Sequence, residues 1–185
     1  MACRRVFWMV LWWAILTVLP TDGVSGAAGN ENALDVSSYA RQVAELGIPT
    51  LASVREAASE AQALFDQGEY EKAVDALDRW ARSANWLSNL IAQGLEPFYS
   101  ASYDDRKAFP YARLDALVRY ETLVNDLRRQ RNHAMVLRAE ALVRLGRTDE
   151  AVSVYLRALD LLDIKDWEWW TRARTGLYAL LGVDS

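Results

Sequence analysis

The sequence predicts an all-α domain built of antiparallel helix hairpins, and three observations carry that expectation. Apolar residues recur at helical spacing, as Ala73, Leu77 and Trp80 do, and no segment alternates at period two. Only 4 prolines and 9 glycines occur in 185 residues, so long helices meet few interruptions. Two stretches centred on a glycine, Gly68 and Gly146, copy each other's pattern.

The elements follow in order. Residues 29–36 are small and polar and read as a linker. Ser37 or Ser38 caps a short helix that ends at Gly47, with Pro49 just beyond. Thr50 and Ser53 open the next helix, which runs to about Gln67, and Ser53 with Glu56 has capping-box spacing. After a turn at Gly68, residues 69–84 form a helix. Asn85 is the cap of another, which carries Trp86, Leu87, Leu90 and Ile91 and breaks near Gly94 or Pro97. Residues 99–110, with Asp104, Asp105, Arg106 and Lys107, read as a loop. A helix with Leu114, Leu117, Val118, Leu123, Val124 and Leu127 inward ends in Arg128, Arg129 and Arg131. His133 starts the next helix, Gly146 turns it, Thr148 caps residues 149–162, and Asp166 caps a last helix that stops at Gly182.

The two glycine turns share their offsets. Ala61 and Leu64 precede Gly68 as Ala139 and Leu142 precede Gly146; Ala73, Leu77 and Trp80 follow the first as Ala151, Tyr155 and Ala158 follow the second. Small residues let two helices cross closely, glycine ends the first helix in a left-handed conformation, and the larger residue fills the space beside the crossing. Ala134 lies off the shared pattern and is expected to accept added volume more readily than Ala151. This pattern resembles the tetratricopeptide repeat, a helix–turn–helix unit of about 34 residues. The resemblance implies that residues 50–185 form a right-handed solenoid of about three hairpins plus a C-terminal capping helix. The turns lie 78 positions apart, so a degenerate unit is expected between them, made of the helices near Trp86 and Leu117. The chain departs from the family at its first-helix tryptophan (Ala57 or Met135), its first glycine (Ala61 or Ala139) and its terminal proline (Asn85 or Asp163).

Residues 1–28 are a different material. Arg4 and Arg5 precede a charge-free run from Val6 to Leu19, 14 residues long and short of the about 20 that a helical span needs. Pro20, Asp22 and Gly23 break it, and Ser25, Gly26, Ala27 and Ala28 supply small residues for cleavage. These parts predict a signal peptide, with residues 29–185 exported to a periplasm or beyond. The alternative is an uncleaved inner-membrane anchor, with Trp8, Trp12 and Trp13 at the interface and the domain still outside. Arg4 and Arg5 also fit part of a twin-arginine signal, although the very apolar run suits the general secretory route better. The single cysteine, Cys3, lies in this segment, so the mature domain has no disulfide and no thiolate chemistry. Removing Arg4, Arg5 and Asp22 leaves 19 Lys and Arg against 24 Asp and Glu. That acidic balance argues against nucleic acid and against docking on anionic membranes.

Chemistry-bearing patterns are sparse. His133 is the one histidine, and nothing around it builds a catalytic set or a metal site. No nucleophile elbow or phosphate loop is present, no cofactor is implied, and Asp104–Asp105 lacks a calcium-loop pattern. Arg128, Arg129 and Arg131 resemble an anion site, but at a helix C-terminus they serve to offset the macrodipole.

The family resemblance implies a groove lined by the first helix of each unit. It falls on Arg55, Ala58, Gln62, Phe65 and Asp66, then on His133, Val136, Glu140, Val143 and Arg144. On the last helix, Trp170, Ala173, Leu177 and Leu181 form the inward stripe. Trp169 and Leu180 widen the apolar arc on one side, Trp167 and Tyr178 on the other. An arc this wide is expected to leave Trp169 or Tyr178 facing water or a partner, unless the linker or the 99–110 loop covers it. The expected function is an extracytoplasmic adaptor or assembly factor for a protein or peptide. The alternatives are a self-associating envelope component and, third, a hydrolase without a recognisable motif.

Overall fold

The structure is a computed structural model that describes residues 37–183; the expected signal peptide and the linker before Ser37 lie outside the described residues. Every regular element in it is helical: α1 (Ser37–Leu46), α2 (Leu51–Asp66), α3 (Tyr70–Gly94), α4 (Tyr103–Arg106), α5 (Tyr111–Arg144), α6 (Thr148–Leu161) and α7 (Trp167–Leu181). The all-α repeat fold is as expected.

The turns form for the reasons that the glycines suggest. Gly68 and Gly146 have φ of +76° and +74°. Behind each, two backbone bonds close the helix end: Glu69 N–H to Leu64 and Gly68 N–H to Phe65, then Arg147 N–H to Leu142 and Gly146 N–H to Val143. This Schellman arrangement satisfies carbonyls that a helix end leaves orphaned. At the start of α2 the capping box pairs Thr50 with Ser53, not Ser53 with Glu56. The Thr50 hydroxyl accepts from Ser53 N–H at 3.0 Å, and Thr50 N–H donates to Ser53 Oγ at 2.9 Å.

The repeat pattern reads directly into the core. Ala61, Ala73, Leu77, Ala139, Ala151, Tyr155 and Ala158 are all buried. Ala134 is buried as well, in the same cluster as Ala151, so the premise that it lies away from the close packing falls.

Two expected helix boundaries are absent. Asn85 does not start a helix but lies inside α3, and Arg128, Arg129 and Arg131 do not end one but lie inside α5. No glycine or proline interrupts either stretch, and the apolar spacing continues through both, as Val124, Leu127, Ala134 and Leu137 show. The two long helices run antiparallel. Arg138 pairs with Asp78, Arg131 donates to Asn85 and Arg128 reaches Tyr99, which keeps one register along the contact. Val118, expected inward, is exposed near the far end of this pair, where no further layer covers it.

The intervening unit is therefore not a separate layer. Antiparallel pairs α2–α3, α3–α5 and α5–α6 are present, with α7 after them, but the middle pair shares its helices with its neighbours. Val54, Ala61 and Ala73 of the first repeat lie in one core with Ala134, Leu137, Ala141 and Ala151 of the second. The two repeats are thus direct neighbours. Residues 85–131 are a hairpin in which α3 and α5 run on beyond the repeats, with Leu87 and Leu127 still in the shared core.

The end of that hairpin is ordered by Arg106. Its guanidinium meets Glu121 at 2.9 Å, donates to the carbonyls of Tyr99 and Ala101, and lies 4.6 Å from the Phe98 ring. Asp105 takes the Ser102 hydroxyl at 2.7 Å and Asp104 pairs with Lys107 at 2.8 Å, so both carboxylates serve the α4 turn. Near the other terminus α1 leans on α3 through Tyr39, which stacks on Trp86, and through the Glu45–Arg82 pair.

Candidate functional site

The groove positions separate into two groups. On α2, Arg55 and Asp66 are exposed, while Ala58, Gln62 and Phe65 are half-buried. Gln62 donates to Asp66 Oδ1 at 2.9 Å, and Phe65 meets the Tyr70 ring edge-on, with centroids 5.7 Å apart. Among the described residues no further helix covers Arg55, Gln62 and Asp66, while Ala58 and Phe65 also pack against the core. Of the α5 groove positions only Arg144 is exposed, while His133, Glu140 and Val143 are half-buried. Val136 is wholly buried among α5, α6 and α7, so its assignment to the groove is corrected. The reason is α7, which lies along α5 and covers the face that the second repeat was expected to offer.

The α5–α7 contact gathers several of the expected site residues. Trp169 is sandwiched: the His133 ring stacks on it at 4.1 Å and 12°, and the Arg172 guanidinium lies 4.8 Å from its centroid. His133 shares a hydrogen bond of 2.6 Å with Asp166, at the start of α7. Arg172 donates twice to Glu140, at 2.5 and 2.6 Å. Those bonds hold its pKa above the usual arginine value, against the opposing effect of burial. His133, Glu140 and Trp169 therefore fasten α7 to α5. The inward stripe of α7 is Trp169, Ala173, Leu177 and Leu180, rotated from the expected one, and Leu181 is exposed.

The rotation moves the open aromatic. Trp167, 58% exposed, stacks on Trp170 at 5.3 Å; Arg174 lies 5.0 Å from Trp170 and 5.6 Å from Tyr178. One flank of α7 is thus a ladder of three aromatic rings and one guanidinium, of which Trp170 and Tyr178 also pack against the second core. Trp167 is its most exposed ring, and Tyr178 is half-buried.

A third feature lies where α5 passes the α6–α7 turn. Here a cleft of about 850 Å³ is walled by Arg128, Arg129 and Arg131 on one side and by Asp163, Lys165 and Asp166 on the other. Asn132 builds part of its floor, donating to the Leu161 carbonyl at 2.8 Å and satisfying an orphan acceptor at the end of α6. Because α5 continues to Arg144, the three arginines are not at a helix terminus, and the macrodipole explanation for them falls away. Sequence reasoning found these arginines but not Asn132 or Lys165, which only the tertiary turn brings to them.

Residues 57–79 and 132–157 match the family model described as the tetratricopeptide repeat. The matched segments are the α2–α3 and α5–α6 turns, the two that share one core. No curated protein and no solved structure matches the chain.

Proposed function

We propose that this tetratricopeptide-repeat chain is an extracytoplasmic adaptor or assembly factor that binds a protein or peptide partner. Repeats of this family generally act as non-enzymatic interaction scaffolds, built by stacking helical hairpins into a shared core. The observation that carries the reading is the α2 face. Arg55, Gln62, Phe65 and Asp66 lie on the first repeat, mixing an aromatic side chain with both charges. Such a mixture suits a peptide-binding surface. The acidic balance disfavours nucleic acid. No helix among the described residues is long and apolar enough to cross a membrane. The export reading rests on the basic start, the 14-residue apolar run and the small residues after it. Sequencing the N-terminus of the exported protein tests it: a start at residue 28 or 29 supports cleavage, and an intact Met1 in the membrane fraction shows an anchor. The adaptor reading is tested by capture from envelope extracts with the chain and its Phe65→Ala variant. One protein retained by the first and lost by the second supports it; identical capture profiles overturn the α2 face as the binding surface.

A second reading, self-association, is favoured by the aromatic ladder on α7. Exposed clusters of large aromatics mark interaction sites, and tryptophan is a frequent interface anchor. Light scattering across a concentration series separates the two: a monomer at all concentrations removes self-association.

A further inference from the structure

We propose that the cleft between α5 and the α6–α7 turn is a binding site for a carboxylate-bearing segment of a peptide partner, held by Arg128, Arg131 and Lys165. The proposal rests on the protein-binding reading and names the chemistry of one partner element.

The carrying observation is the pairing state of the arginines. The chain is rich in acid, with 25 Asp and Glu, and other half-buried arginines find carboxylates, as Arg138 finds Asp78 and Arg106 finds Glu121. Arg128 and Arg131 do not. Arg128 donates to the Tyr99 hydroxyl and lies 5.2 Å from that ring. Arg131 donates to the amide oxygens of Asn85, at 2.7 Å, and Asn132, at 3.0 Å. Both are half-buried, and among the described residues neither has an acidic partner. Burial and the repulsion of Arg128 and Arg157 lower the Arg131 pKa from its usual value, so the protonated form is under-compensated where it stands. A desolvated cation without a counter-charge is costly, and an incoming anion relieves that cost.

The lining narrows the ligand. The cleft holds four cationic side chains against two carboxylates. Asp166 is taken by His133, and Asp163 accepts from Lys165 N–H at 2.9 Å. The two carboxylates still repel a dense polyanion, and so does the acidic chain as a whole. At about 850 Å³ the space exceeds a single small oxyanion and falls within the roughly 300–1,000 Å³ of ordinary ligand clefts. Guanidinium forks match carboxylates in two-point geometry, and the lysine adds a mobile charge at the rim. A peptide with two or three carboxylates spaced by neutral residues fits both the charge and the size.

Fluorescence anisotropy on the full chain tests this with a dye-labelled hexapeptide carrying three glutamates and its glutamine counterpart. The glutamate peptide is expected to bind at least tenfold more tightly and to weaken as salt rises. Arg131→Gln and Lys165→Gln are each expected to weaken it severalfold. Lys165 is exposed and makes no side-chain contact that the fold requires, so its variant keeps the test valid if Arg131→Gln fails to fold. Equal binding of the two peptides, unchanged binding by the Lys165→Gln variant, or equally tight binding of a single-stranded oligonucleotide would overturn the proposal. Capture from envelope extracts separates the two failures. A partner retained equally by the chain and by the Lys165→Gln variant defeats the cleft and leaves the protein-binding reading standing. A chain that retains no specific partner and binds neither peptide defeats both.

Discussion

The hydroxyl of Tyr155 on α6 rests directly against the backbone of Gly176 on α7: a Cβ built on Gly176 lies 2.4 Å from the Tyr155 oxygen and 2.6 Å from Cζ. Glycine inside a helix ordinarily costs up to about 1 kcal/mol relative to alanine. Here the exchange is expected to go the other way, because Tyr155 is buried and its ring must shift within the core to admit the methyl. Overpacking of this kind costs about 1–3 kcal/mol, which exceeds the helix-propensity gain. Gly176→Ala is therefore expected to lower the melting temperature. Adding Tyr155→Phe to that variant is expected to restore part of it, since the shorter ring removes the closest contact. A Gly176→Ala variant as stable as the parent would show that α6 and α7 do not meet in this way.

The same tyrosine gives the fold an alkaline limit. Burial first, and then the Glu140 carboxylate, push the Tyr155 pKa up from 10.0 to about 12. The unfolded chain gives up this proton first, so it binds fewer protons than the native state over that interval. Tyr155 thus favours folding fully below pH 10, and this contribution is lost as pH rises toward 12. Denaturant unfolding across that window is expected to show a fall in stability that is shallower in a Tyr155→Phe variant. Parallel slopes for the two proteins would remove the effect from Tyr155.

What the sequence reveals and what it hides follow from the range of each signal. The Gly68 and Gly146 turns are legible because a left-handed residue is a local requirement, and the alanines at the crossings are legible because two copies display them. The continuity of α3 and α5 is not. Asn85 is a good cap by itself, and Arg128 to Arg131 suit a helix end, but the Arg131–Asn85 bond between two distant stretches uses both in mid-helix. The rotation of α7 is hidden for a similar reason. An apolar arc covering half of a helix leaves its inward direction to the neighbours, and His133 with Glu140 selects Trp169 and Arg172. Val136 followed a family position that α7 happens to cover. The arginine cleft needed the α6–α7 turn, whose placement no local pattern encodes.

Glycine positions that look alike in the sequence are expected to respond oppositely to alanine. At Gly146 the φ is +74° and nothing lies within 4 Å of an added Cβ, so backbone strain is the whole effect. That strain costs about 1–2 kcal/mol. Gly94 has the same open space but sits at the end of α3 without a positive φ. Gly94→Ala is expected to be neutral or to stabilise by up to about 1 kcal/mol, through helix propensity and a less flexible unfolded chain. Thermal melts of the two variants check the sign of each change. Equal destabilisation would mean that α3 does not extend as far as residue 94.

Trp167 and Trp169 separate packing from contact on a single helix. Trp169 lies against His133 and Arg172 and packs against two of the three cores that α5 contributes to. Removing a fully buried tryptophan costs about 3–5 kcal/mol, and Trp169 is half-buried, so Trp169→Ala is expected to cost about 2–3 kcal/mol. It also releases the stacking that positions His133 toward Asp166, and α7 is expected to loosen before the rest of the domain. Trp167 is mostly in water and touches Trp170, so Trp167→Ala is expected to stay within about 0.5 kcal/mol of the parent. Hydrogen exchange over α7, alongside melting, distinguishes the two sites: faster exchange confined to residues 167–181 in the Trp169 variant is the expected result. If the Trp167 variant melts as low as the Trp169 variant, the rotation of α7 described above is wrong. If Trp167→Ala leaves stability intact but abolishes a concentration-dependent dimer, the aromatic ladder is the surface through which two copies meet.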